Sequence, residues 1–121
     1  MALKYSIERF EFHDLKTKQF ITIVGWCYQE DNESVNYRIK LDGKEVDFEL
    51  FRPGREDIIN GYDLGFKNTH IGFRLILDCN EEPKSIEIIA YTDTCSESIL
   101  NYDQRKINKY RDKREINTYI D

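Results

Sequence analysis

Apolar and polar residues alternate with a period of two over most of the first ninety positions, and this feature constrains the chain most. Alternation of this kind describes strands that bury one face and wet the other. Its clearest stretch begins at Val35. Val35, Tyr37, Ile39 and Leu41 share one face, and Asn36, Arg38 and Lys40 share the other. Asp42-Gly43 follows, a two-residue hairpin turn in which both positions must accept φ > 0. The returning strand runs from about Lys44 to Phe51. Val46, Phe48 and Leu50 continue the inward face, and Asp47 and Glu49 answer the cations of the partner strand.

Other strands follow from the same period. Lys4 to Phe12 is a first strand. Tyr5 and Ile7 fall on one face and Phe10 and Phe12 on the other, a phase slip that places a bulge near Glu8 or Arg9. Gln19 to Gln29 is the strongest strand. Phe20, Thr22, Val24, Trp26 and Tyr28 oppose Ile21, Ile23, Gly25 and Cys27, so both faces are largely apolar and the strand is central. His70 to Asp78 and Ser85 to Thr92 complete a set of six. Between Arg52 and Asn68 lies a long connection with Pro53, Gly54, Gly61 and Gly65, and a short helical turn is expected at Glu56 to Asn60. Connections of this length are often functional or pinned by side-chain bonds.

Strands joined by short turns, without interleaved helices, predict an all-β fold. The expected architecture is an antiparallel immunoglobulin-like β-sandwich of about six to seven strands with a C-terminal helical extension. The immunoglobulin disulfide is missing, since Trp26 adjoins Cys27 instead of lying between two cysteines. The 121 residues suffice for one such domain. Residues 1–96 are assigned to the sandwich and residues 97–121 to a helical tail or linker. In that tail the sparse apolar residues Leu100, Ile107, Tyr110 and Ile116 suggest a narrow helical seam.

Charge excludes some functions. Residues 1–102 carry 12 Lys/Arg against 19 Asp/Glu, and an acidic body of this kind repels phosphate backbones. No nucleic-acid partner is expected. Residues 103–121 are mildly basic. No apolar run is long enough to span a bilayer and no signal peptide is visible at Met1 to Lys4, so the expected location is cytoplasmic. Cys27, Cys79 and Cys95 are odd in number and lack CxxC spacing, and His13 and His70 lie far apart. Free thiols, with no metal and no cofactor, are the expectation.

Catalytic signatures are missing as well: no GxSxG, HExxH, Walker loop or GxGxxG occurs. The sharpest cluster is Arg52-Pro53-Gly54-Arg55-Glu56-Asp57-Ile58. Two arginines can grip a carboxylate, a phosphate or sugar hydroxyls. Equally, Arg55 and Asp57 can fasten the long connection to the sheet, and this structural role is the favoured reading of that pair. An arginine pair near a sheet also occurs in PilZ-type dinucleotide receptors, but the downstream Asp/Asn-x-Ser-x-x-Gly element is missing here. Aromatic residues make up 13% of the chain, enough to supply sugar-stacking rings. Trp26 reads as core, and Tyr62, in the Gly-flanked connection, as the exposed ring. Candidate binding residues are therefore Arg52, Arg55, Asp57 and Tyr62.

Three elements in order carry a likeness: Ile23-Val24-Gly25-Trp26-Cys27 on a strand, Arg55-Glu56-Asp57-Ile58 after the hairpin, and Ile71-Gly72-Phe73 opening the next strand. The pattern resembles the β-sandwich accessory domain beside catalytic domains of bacterial glycosyltransferases that build cell-surface polysaccharides. In that family it reads roughly I-x-G-W-a, R-x-D-V, then G-F. Ile58 stands for Val, and Cys27 for a small residue. The likeness covers about residues 4–92. It implies a non-catalytic accessory or interaction module, not an enzyme, whose partner is a glycosyltransferase catalytic domain in the same or another chain. Asp-x-Asp spacing, which a metal-bound nucleotide-sugar site uses, does not occur in the chain. The alternative is a carbohydrate-binding module recognising a glycan through exposed aromatics and arginines.

Overall fold

The structure, a computed structural model, describes residues 2–103. Strand β1 is Leu3–Leu15, β2 Lys18–Gln29, β3 Asn36–Leu41, β4 Lys44–Val46 and β5 Glu49–Phe51. The short helix α1 (Glu56–Gly61) comes next, then β6 (Gly72–Asp78), β7 (Ser85–Tyr91) and β8 (Ser96–Asp103). The strands form two four-stranded sheets, one in the order β1-β2-β6-β5 and the other β4-β3-β7-β8. Every pairing is antiparallel. The architecture is all-β and sandwich-like, as the alternation predicts.

The core lies between the sheets because the inward faces interdigitate there. Ile21, Ile23, Phe73, Leu75 and Leu77 come from one sheet; Tyr37, Ile39, Ile86, Ile88 and Ala90 come from the other. Fully burying a side chain such as Phe73 or Leu75 contributes about 1.5–3 kcal/mol each. The register shifts between Ile7 and Arg9, where the alternation slips. This bulge turns Ile7 and Phe10 onto the same side, and both are buried. At the β3–β4 hairpin Asp42 has φ 49° and Gly43 φ 83°, the conformation expected of Asp-Gly. The Asp42 carboxylate also accepts from the backbone N–H groups of Lys84 (2.8 Å) and Ser85 (3.0 Å), fixing the start of β7.

The single returning strand expected over 44–51 is in fact two. β4 pairs with β3 in one sheet, and β5 pairs with β6 in the other. The chain crosses at Asp47 and Phe48, between the edges of the two stacked sheets. Val46, Phe48 and Leu50 all still pack on the core, so the apolar period runs unbroken across the crossing. The expected helical extension is also corrected in its first part. Ser96–Asp103 is a strand paired with β7. Its register skips Ile99, since Ile88 faces Leu100 and Ile89 faces Ser98, so neighbouring Ile99 and Leu100 are both buried. The described residues hold eight strands where six to seven were expected. The remainder of that expected helix, residues 104–121, lies outside the described residues.

A second, smaller cluster sits on the outer face of the first sheet. Trp26 and Tyr28 of β2 meet Ile59 of α1 and Ile71, with Ile58, Leu64 and Phe66 against them. The long connection folds back over the sheet instead of hanging free. Among the described residues no helix is long and apolar enough to cross a membrane.

Candidate functional site

Arg55 is where the connection meets the sheet. Its guanidinium reaches Glu8 at the β1 bulge (Nη2 to Oε2, 3.0 Å) and Asp57 in the first turn of α1 (Nε to Oδ1 3.0 Å, Nη2 to Oδ2 2.9 Å). The fork thus closes on two carboxylates. The hydrogen bonds to Asp57 and Glu8 raise the guanidinium's affinity for its proton. The same contact holds the Asp57 carboxyl below its ordinary value. Backbone bonds reinforce the junction: Arg55 N–H donates to Thr69 O at 2.9 Å and Gly72 N–H to Pro53 O at 3.1 Å. Gly72 must lack a Cβ here, because one would sit 2.7 Å from Pro53 O and 3.0 Å from Arg55 Cγ.

The four candidate binding residues do not converge. Arg55 and Asp57 bond to each other and are occupied. Tyr62 is 61% exposed and leans on Trp26 at 6.0 Å, on the outer face of the first sheet. Arg52 turns away from that face. Its guanidinium lies over the ring of Tyr37, a core residue of the opposite sheet, at 5.9 Å, and Nη2 donates to Asn36 Oδ1 at 3.3 Å. Of the other rings, Trp26 and Tyr28 are buried and Tyr91 is half-buried with Arg38 stacked over it.

Arg52 lines a cavity of about 330 Å³ at one end of the sandwich. Two loops build it. Gln29 ends β2, and its fully buried amide donates to both Asp31 oxygens at 2.9 Å and accepts from Thr92 Oγ1 at 2.7 Å. That anchor fixes the turn carrying Asn32, Glu33 and Ser34. The Asn32 amide, oriented to satisfy both its ends, grips the backbone of Asn68 (N to O 3.2 Å, O to N 3.0 Å) and so ties this turn to the connection. His70 and Asn68 supply the opposite wall. His70 Nδ1 lies 2.9 Å from Arg52 O. A carbonyl only accepts, so Nδ1 carries the proton and, in the neutral ring, Nε2 keeps a free lone pair.

Cys27 lies at the floor of this cavity, beside Ile71. Burial, with a smaller contribution from Glu97, pushes its thiol up to about 12. Its neighbour in the cavity, His70, is already bonded to a carbonyl. That bond uses Nδ1 alone, and among the described residues no hydrogen bond joins the Cys27 thiol to the imidazole. His13 stacks on Phe20 at 4.5 Å. Among the described residues no His/Cys/Asp/Glu group is arranged to hold a metal ion.

Glu33, Ser34, Asn68 and His70 are not singled out by motif or spacing. Their signal is topological. β2 and β6 pair antiparallel, with Trp26 opposite Gly72, so residues just after β2 and just before β6 share one end of the sheet. Compared with protein families, curated proteins and solved structures, the chain has no match in any of the three.

Proposed function

We propose that this chain is a non-catalytic accessory module of a carbohydrate-active protein, built as an immunoglobulin-like sandwich and serving a polysaccharide glycosyltransferase catalytic domain in the same or another chain. The strand order supports the immunoglobulin-like part. In chain order the strands run first-second-sixth-fifth and fourth-third-seventh-eighth. That corresponds to A-B-E-D in one immunoglobulin sheet and to C′-C-F-G in the other.

One observation carries the functional reading: the three motifs that suggest the likeness meet at a single contact. Gly25 pairs with Phe73 and Trp26 with Gly72 across β2 and β6, and Arg55 Cγ lies over Gly72. Arg55 and Asp57 then close the contact onto Glu8. These residues fasten the connection to the sheet, and none of them lines the cavity, although their motif neighbours Cys27 and Ile71 do. Their role is to shape a surface, which is what an accessory module presents to its catalytic partner. Three free cysteines fit a reducing, cytoplasmic location.

The test is a titration of the isotopically labelled chain with a polysaccharide glycosyltransferase catalytic domain from the same genome, alongside a turnover assay of the chain alone on nucleotide sugars. Saturable shifts at surface amides, with nucleotide sugars left intact by the chain alone, are expected. Sugar transfer or nucleotide-sugar hydrolysis by the chain alone, abolished by His70→Ala, overturns the reading.

A second reading, direct recognition of a glycan, is favoured by the exposed ring of Tyr62 and by Arg52 in its cavity. The two lie at separate places, so they describe two small sites and not one.

A further inference from the structure

We propose that the cavity at the loop end of the sandwich binds a carboxylate-bearing sugar unit, of the hexuronate class, with the Arg52 guanidinium on the carboxylate. The anion site stands on its own geometry; the assignment to a sugar rests on the carbohydrate-active reading above.

Arg52 differs from Arg55 in what it lacks. Arg55 is closed on two carboxylates. Arg52 has no carboxylate partner among the described residues, only the Asn36 amide oxygen and the face of Tyr37. A guanidinium offers five N–H donors, and the Asn36 bond takes one of them. The ring beneath it and the bond to Asn36 hold its plane in place, which lowers the ordering cost of a bidentate grip. A guanidinium without a carboxylate partner, lining a concave site, can anchor a small anion locally against the opposing field of the acidic body.

The remaining groups suit hydroxyls. Asn68 Oδ1 accepts from His70 N–H at 3.1 Å, which leaves its NH₂ as donor. Ser34, His70 and Glu33 line the same space, and the Glu33 carboxylate is positioned by Gln29 Nε2 (3.5 Å) and Asp93 N–H (3.4 Å), which donate to it. Val35 and Ile71 give it an apolar side for sugar C–H groups. Glu33 also selects the anion. Its charge opposes any anion but weighs about twice as heavily against a phosphate dianion as against a singly charged carboxylate, and the cavity lies on no helix N-terminus. The volume of about 330 Å³ sits at the small end of ligand pockets, which suits one monosaccharide unit. One charged contact and a few hydroxyl bonds on so small a ligand correspond to a Kd on the order of 0.1–1 mM.

The test is an amide-shift titration of the intact chain with glucuronate, galacturonate, glucose and inorganic phosphate, repeated on Arg52→Gln, Arg52→Lys and Tyr62→Ala after thermal melts establish that each is folded. Uronates are expected to shift Ser34, Asn68, His70 and Ile71 saturably, with glucose binding at least tenfold more weakly. Arg52→Gln should weaken uronate binding at least tenfold, Arg52→Lys less, and Tyr62→Ala not at all. Phosphate binding tighter than uronate overturns the ligand class. Uronate binding that survives Arg52→Gln, or shifts centred on Tyr62, overturns the site. If uronates shift nothing while the glycosyltransferase titration succeeds, this inference falls and the accessory-module reading stands.

Discussion

Two residues concentrate the cost of holding the connection and the sheet together. Arg55 joins α1 to the β1 bulge, and its side chain is only 18% exposed although both carboxylate partners are more open. Arg55→Ala is expected to cost about 1–2 kcal/mol, seen as a fall in Tm of roughly 4–10 °C in calorimetry. The loss should carry a pH signature. Asp57 has a depressed carboxyl pKa, chiefly through its bond to Arg55. It therefore lends stability above the unfolded carboxyl value, about pH 3.9, and loses it as pH falls through the lower folded value. Wild type should lose stability more steeply than Arg55→Ala below about pH 4; parallel acid limbs in the two proteins would count against the contact. Gly25 is the more severe case. A Cβ there would run into the carbonyl of Ser6 and stand 2.8 Å from Phe73 Cζ, where β2 lies between β1 and β6 beside the bulge. Backbone on one side and a fully buried ring on the other leave no room to yield. Gly25→Ala should destabilise by about 3 kcal/mol in urea titrations, or prevent folding outright. Gly43 is the contrast, since nothing lies within 4 Å of its missing Cβ and only its φ of +83° resists substitution.

Among the elements, β8 makes the sharpest prediction because the residue pattern argues for something else. Ile99, Leu100 and Tyr102 of β8 are buried in the core. Leu100→Ala should therefore cost about 2–4 kcal/mol in chemical denaturation. A helix leaving the sandwich would lose almost nothing from the same change. The reason β8 is hard to read is physical. The extra residue at Ile99 breaks the period of two, and adjacent apolar residues in a polar context resemble a helical seam. The crossing from β4 to β5 is hidden for the opposite reason: the period does not break, since an extended chain can change sheets while its inward face stays inward. Where local chemistry decides the backbone, the residues are legible. The Asp42-Gly43 turn, the bulge between Ile7 and Arg9, α1 within a residue, and the exposure of Tyr62 all follow from short-range rules. So does the role of Arg55 and Asp57 as fasteners. The cavity is not legible in this way. Arg52, Glu33 and His70 belong to separate segments, and only the antiparallel pairing of β2 with β6 gathers them at one end.

At the scale of the whole molecule, the three thiols report on how the sandwich opens. Cys79 belongs to the end of the sandwich where β2 begins, bonded through its N–H to Gln19 O. Cys95 belongs to the opposite end, where its carbonyl receives Thr92 N–H. Both are half-buried, whereas Cys27 is buried between the sheets. A thiol reagent should modify Cys79 and Cys95 readily from the native state and Cys27, only 2% exposed at the floor of the cavity, far more slowly, at a rate that rises in urea as the sandwich opens. The same residue sets an alkaline limit. Desolvation raises the Cys27 thiol from 9.0 to about 12, and burial raises the neighbouring Tyr37 phenol as well. A group held protonated in the folded state lends its full stability below the unfolded value and loses it as pH rises through the folded one. Stability should therefore decline between pH 9.0 and about 12, as unfolded chains release protons that folded chains retain. Cys27→Ala tests the assignment, because it removes the thiol proton while its small cavity shifts the whole curve by a constant amount. Its alkaline limb should be shallower than that of wild type, with the residual slope left to Tyr37 and the other phenols. An unchanged slope would mean that the thiol ionises as readily inside the sandwich as in water, and that the space between the sheets admits solvent.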